Sequence, residues 1–191
     1  MATPEEVLAF WLDDVGPKGW YAGGDELDET CRDRFAEAWA DLDEGGLSLW
    51  LTYPSGVLAY IILSDQLPRN MWRGTPDAFK LDAVAGAAAK MAIGKGWDKR
   101  IDPPGRQFFY LPLMHAENLI DQDRCVRLFY DRMPEAENNL LHAKAHREVI
   151  RRFGRFPHRN ETLGRSSTSA ETAFIKDGGY GAVVRELQQT A

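Results

Sequence analysis

Apolar and polar positions follow a helical period along nearly the whole chain, and no stretch alternates with the two-residue period of a strand. Leu27, Cys31, Phe35, Ala38 and Leu42 recur at steps of 4, 4, 3 and 4, while Asp28, Glu29, Asp33, Glu37 and Asp41 fill the opposite side. That pattern predicts an amphipathic surface helix. Upstream, Thr3-Pro4-Glu5-Glu6 supplies an N-cap, a first-position proline and a capping-box glutamate in order. The helix it starts turns Val7, Phe10 and Trp11 inward. A segment from about Ser55 to Leu67 is apolar all round and belongs at the centre of a domain. Thr75-Pro76 repeats the start signal ahead of the alanine-rich Ala83 to Ile93, which Gly94 and Gly96 end. Pro103-Pro104 opens an apolar helix from Phe108 to Leu119, interrupted by Pro112. Asp121 caps the next, which carries Cys125, Val126 and Phe129. A long helix from about Glu135 to Phe153 stops at Gly154, and Thr168-Ser169-Ala170-Glu171 is a second capping box. After Asp177-Gly178-Gly179 the signal fades. The expected domain is therefore a single one over 1–191, with a core at 4–175 and a loosely held end at 176–191.

About seven helices joined by short connections predict an all-α fold of stacked antiparallel pairs, without a 34-residue sequence repeat. The length of 191 residues, 44% of them apolar, is enough to bury about 70% of the unfolded surface. A formal net charge of −6 argues against nucleic-acid or anionic-membrane binding through bulk charge. Gly45 to Ser64 carries no charge, but Thr52, Pro54, Ser55 and Gly56 leave only Val57 to Leu63 fully apolar, too few to span a bilayer. The first residues do not read as a secretory leader. Cys31 and Cys125 lack CxxC spacing and read as reduced, buried thiols, which points to the cytoplasm. Charge is unevenly placed. Residues 1–50 carry a net −10 and residues 140–165 a net +5, so the two ends could pair with each other or present distinct faces.

Four places could carry chemistry. Asp65 ends the most apolar helix, where the helix dipole disfavours a negative charge, so it needs a cation or donors. Arg69, four residues on, serves if the helix continues past Pro68. His115 and Glu117 lie two apart, about 200° around a regular helix, and would face opposite sides. His142 and His146 share a face at i, i+4, as metal ligands would, but without HExxH or a third ligand in sequence. One partly buried and one edge histidine is the default, and no metal or cofactor is expected. The loop from Arg152 to Asn160, running on to Gly164-Arg165-Ser166-Ser167-Thr168, mixes arginines, hydroxyls and glycines ahead of a helix start. It suits either an anion site or arginines that tie a loop down.

Leu58 to Asn70 with Arg73-Gly74-Thr75-Pro76, Tyr110 to Glu117, and His146 to Asn160 with Leu163-Gly164-Arg165 together resemble the bacterial domain of unknown function family 924, over roughly Val7 to Phe174. The resemblance implies a tetratricopeptide-like all-α right-handed superhelix of helix pairs. It also marks Asp65, Gln66, Arg69, Asn70, His115, Glu117, His146, Arg152, Arg155, His158, Arg159 and Asn160 as motif positions, and Leu67 stands where the family more often has phenylalanine. Three functional readings follow. In the first, Asp65, Arg69, Asn70, His115, Glu117, His146, Arg152, Arg155, His158, Arg159 and Asn160 line a pocket for a small anionic molecule or a peptide carboxylate. In the second, the protein is a tetratricopeptide-like interaction module. In the third it is a hydrolase using Asp65 or Glu117 with His115 or His146. The sequence leaves the ligand and the oligomeric state open.

Overall fold

The structure, a computed structural model, describes residues 2–189; Met1, Thr190 and Ala191 lie outside the described residues. The described chain is helical with no strand, so the all-α expectation holds. It groups into two compact units, one ending at Pro112 and the other beginning at Leu113. No helix among the described residues is long and apolar enough to cross a membrane.

In the first unit the capping box forms as patterned. Thr3 Oγ1 accepts from the Glu6 amide at 3.2 Å, and the Glu6 carboxylate accepts from the Thr3 amide at 2.8 Å. Helix α1 (Pro4–Leu8) runs on as a π-helix over Ala9–Val15. Phe10 packs 5.1 Å from Phe35 of α2 (Asp25–Asp43), ring centre to ring centre. The all-apolar helix α3 (Pro54–Ile61) lies in the core between α1 and α5 (Asp82–Gly94). Ala85, Ala89 and Ala92 of α5 are fully buried, the small residues that allow close helix approach. Each large side chain buried here, such as Ile61 or Leu63, contributes about 2 kcal/mol. Gly56 is needed because a Cβ there would come within 2.4 Å of the Trp50 carbonyl oxygen.

Three expectations are corrected. The helix does not stop near Leu67. It passes through a π-helical turn, Ile62–Gln66, into α4 (Leu67–Met71), with the Leu67 amide donating to Ile62, five residues back. The wider turn accommodates Pro68, which lacks an amide hydrogen and whose ring would strike the carbonyl four residues back. Thr75-Pro76 starts only a 3-10 turn, Pro76–Phe79, and α5 begins later at Asp82. Phe108 to Leu119 is not one helix. A 3-10 turn, Gly105–Phe109, precedes a short helix, Leu111–Met114, because Pro112 fits only a first helical turn.

In the second unit α6 (Leu119–Arg132) is capped by Asn118, whose side chain accepts from the Asp121 amide at 2.9 Å; Asp121 itself is not the cap. Helix α6 packs along α7 (Glu137–Phe153), which ends at Gly154 with φ +71°, a left-handed cap that glycine adopts without strain. The Thr168–Glu171 capping box starts α8 (Ser169–Lys176). Helix α9 (Gly179–Gln189) sets Val183, Val184 and Leu187 on a cluster with Ala145, Val149 and Ile150 of α7. The spacing 180, 183, 184, 187 is a full helical stripe, obscured because glycines rather than a capping side chain precede it. Cys31 and Cys125 are free and buried. Burial pushes both thiols up, Cys31 to about 12, so neither is a reactive thiolate.

Asp28 departs from the polar face assigned to it. It is buried, taking Asn70 Nδ2 at 2.8 Å and Arg73 Nε and Nη2 at 2.6 and 2.8 Å. Those guanidinium bonds hold its carboxyl below the ordinary range against the opposing effect of burial. Asp28→Ala is expected to destabilise by about 2–3 kcal/mol in urea unfolding. Asp33→Ala, on the exposed side of the same helix, should stay within about 0.5 kcal/mol.

Candidate functional site

The second unit gathers six of the eleven expected site residues. Beyond Met114 the chain leaves helical geometry, so His115 and Glu117 escape the opposed placement that a regular helix would impose. Glu117 accepts from the Phe156 amide at 2.8 Å, and Arg165 Nη1 and Nη2 donate to its two oxygens at 2.7 and 2.9 Å. Arg165 also donates to the Phe156 carbonyl at 3.1 Å and the Asn160 side chain at 3.0 Å. Asn160, itself buried, donates to Ser167. One carboxylate and one guanidinium thus pin residues 156–167 into a fixed loop.

That loop presents the ring of Phe156, and three expected residues surround it. Ring centres of His146 and His158 lie 5.5 and 5.6 Å away, and the Arg159 guanidinium stacks at 4.7 Å. His115 reaches His146 at 6.2 Å. On the other side of His146, Tyr180 of α9 lies 2.5 Å from His142 Nδ1 and 3.2 Å from His146 Nδ1. His146 Nδ1 is also 2.8 Å from the His142 carbonyl oxygen. A carbonyl only accepts, so His146 Nδ1 carries the hydrogen, and the Tyr180 hydroxyl is free to donate to His142 Nδ1. His146 Nε2 makes no hydrogen bond to any described residue and is not sealed from solvent.

Electrostatics keep the imidazoles neutral. Burial lowers the His146 pKa to about 3, helped by His115 and the charge of Arg159, with the hydrogen bond to the His142 carbonyl opposing. Burial and Arg159 lower that of His158 to about 4, with Glu117 opposing and Arg165 reinforcing the shift. Burial also lowers that of His142. Burial resists ionisation of Glu117, but Arg165 and the Phe156 amide outweigh it and hold the carboxyl below its ordinary range. Among the described residues no group of three or more His, Cys, Asp or Glu side chains is arranged to hold a metal ion.

The remaining expected residues lie elsewhere. Arg152 pairs with Glu148 and Glu186, and Arg155 clamps Glu171 at 2.6 and 2.9 Å and reaches the Ser166 carbonyl. Arg147, Arg151, Arg152, Arg155 and Arg165 find acidic partners within the second unit. Here the arginines mostly tie down loops and helix ends. In the first unit Asp65, fully buried, is met by Gln66 and by Arg69, one turn on at 3.4 Å, and Arg69 bridges to Asp82 at 3.0 Å. Burial opposes the Arg69 charge, but the two carboxylates more than compensate. Asn70 serves Asp28.

A family model described as a bacterial protein of unknown function, DUF924, matches residues 7–179. The chain belongs to DUF924. A solved structure from Agrobacterium tumefaciens, titled as a protein of unknown function, aligns at a TM-score of 0.85 and 36% identity, covering 91% of this chain and 97% of that one. No curated protein matches.

In this DUF924 chain, sequence reasoning missed three members of the cluster. Arg165 stood within a quoted motif but looked like one more loop arginine. Phe156 was not among the candidate positions, and Tyr180 fell where the helical signal fades. Only the pairing of Tyr180 with the α9 stripe could have found it. Glu117→Ala should cost about 3 kcal/mol in denaturant unfolding, because it strands the Arg165 charge and the Phe156 amide. The neutral histidines also set a pH dependence. Unfolded imidazoles protonate near 6.5 while His142, His146 and His158 stay neutral in the fold, so the unfolded state binds more protons and stability falls as pH drops below 6.5. Well above 4.5 an ordinary glutamate is ionised, and Glu117 lies below that value in the fold, so the window near pH 5.5 belongs mainly to histidine. Unfolding at pH 5.5 should take up at least about two protons, and about one fewer in His146→Gln, as read by calorimetry in buffers of different ionisation enthalpy.

Proposed function

We propose that the His115, His146, His158 and Arg159 cluster binds a small anionic molecule or a peptide carboxylate. The carrying observation is the convergence of two imidazoles and a guanidinium on the Phe156 ring, with solvent reaching both His146 and His158. The cationic influence of Arg159 on both imidazoles supports an anion rather than a cation. The net charge of −6 supports a partner that is neither nucleic acid nor membrane, and the free buried cysteines support a cytoplasmic setting. The tetratricopeptide-like stacking of helix pairs belongs to the same proposal. Its support is the α6–α7 pair, packed along each other and joined by residues 133–136.

The hydrolase alternative gains nothing from this geometry. Glu117 is ionised and its oxygens are taken by Arg165 and Phe156, so it has no proton to donate at neutral pH. The interaction-module alternative has one observation in its favour. In the first unit an open cleft of about 480 Å³ is lined by Phe10, Val15 and Leu27 with Asp14, Asp25 and Glu26, which suits a basic segment of a partner protein.

Phosphate, malonate and diglycine at millimolar concentration are the test, read as shifts in melting temperature. At least one should raise it by several degrees, and Arg159→Ala should abolish the rise. Arg155→Ala, whose guanidinium is committed to Glu171, should retain it. No shift from any of the three in the wild-type protein refutes the proposal.

A further inference from the structure

We infer that the anion taken by this cluster carries its own hydrogen-bond donor, an O–H or N–H beside the charge, and delivers it to Nε2 of His146. This rests on the anion reading above and narrows it to a chemical class: a hydrogenphosphate or a 2-hydroxy acid rather than a fully deprotonated oxyanion.

The His142 carbonyl oxygen, 2.8 Å from His146 Nδ1, obliges that nitrogen to be the donor. In a neutral ring the lone pair is then on Nε2. The ring cannot exchange tautomers without setting two acceptors against each other at Nδ1. Nor does it readily become an imidazolium, because burial, His115 and Arg159 oppose the second proton and outweigh the opposite pull of the His142 carbonyl. The only other polar contact of the ring, Tyr180, is also made at Nδ1. Nε2 is therefore a permanent acceptor that no described residue satisfies and that solvent reaches. His146 and Arg159 both pack on the ring of Phe156, at 5.5 and 4.7 Å, and the Arg159 charge acts on the His146 ring, so the two are near enough for one small ligand to address both. An anion with only acceptor atoms would place a lone pair against the Nε2 lone pair. One that retains a hydrogen satisfies both groups. A polar site built for a donor rejects a near-identical ligand that lacks it far more strongly than an apolar pocket rejects a missing methyl group.

Matched probes test this at pH 7. Inorganic phosphate keeps at least one O–H and sulfate has none; glycolate carries a hydroxyl and acetate does not. Titration calorimetry should show at least one donor-bearing member binding about tenfold or more tightly than its partner, and the favoured pair tells a phosphate source from a hydroxy-acid one. The preference should collapse in His146→Phe, and nitrogen-15 imidazole spectra of the wild-type protein should show His146 protonated at Nδ1 alone, a readout that needs no variant to fold. Equal binding within both pairs, or a proton on Nε2, overturns the inference while leaving an anion site in place. Failure of all four probes to bind overturns the anion reading itself.

Discussion

The carboxylate of Glu117 is the constraint on which the second unit's chemistry depends. A half-buried charge must be repaid in hydrogen bonds, and Glu117 finds them 39 residues away at the Phe156 amide and 48 away at Arg165. Those bonds convert an arginine-rich loop that could wander into one backbone path. Arg165 completes it by bonding the Phe156 carbonyl and Asn160 as well. With Phe156 immobilised at both its amide and its carbonyl, its ring becomes a fixed platform, and His146, His158 and Arg159 take their positions from that ring. Loss of this clamp would leave His158 and Arg159 on a loop with no reason to converge on His146.

A second consequence concerns protons. The imidazoles near Phe156 sit among a guanidinium and one another, so a positive charge on any of them is opposed from several directions. His142, His146 and His158 are therefore neutral at physiological pH, and Nδ1 of His142 and of His146 has a role dictated by its neighbour. The His142 carbonyl sets His146, and the Tyr180 hydroxyl suits His142 as an acceptor. Helix α9 is thus part of the site's electronic arrangement as well as a cover for α7, since it delivers Tyr180 between the two histidines.

The first unit solves a similar problem differently. Its most apolar helix runs into Asp65, and a π-helical turn carries the chain past Pro68 so that Arg69 arrives one turn later, shared with Asp82. Asp28 is likewise enclosed with Asn70 and Arg73. In each case a buried carboxylate is neutralised by a guanidinium, Arg69 mostly buried and Arg73 at the surface, which links separate elements of the unit and imposes one register on them.

Much of this was legible in the chain itself. Apolar spacing and caps located α1, α2, α7 and α8, and the second capping box forms as read, because those signals act within a few residues of one another. The motif residues of the family resemblance also named most members of the Phe156 cluster. Long-range partnership was not legible. Nothing local distinguishes Asp28 from Asp33, Arg165 from Arg155, or the glycine-led stripe of Tyr180 from a frayed end. Local backbone chemistry determined which segments are helical and where they start. Which charges are buried together, how strongly His146 resists a second proton and which arginines are already committed was decided only when distant segments packed, because those energies depend on desolvation and on neighbours that sequence order does not reveal.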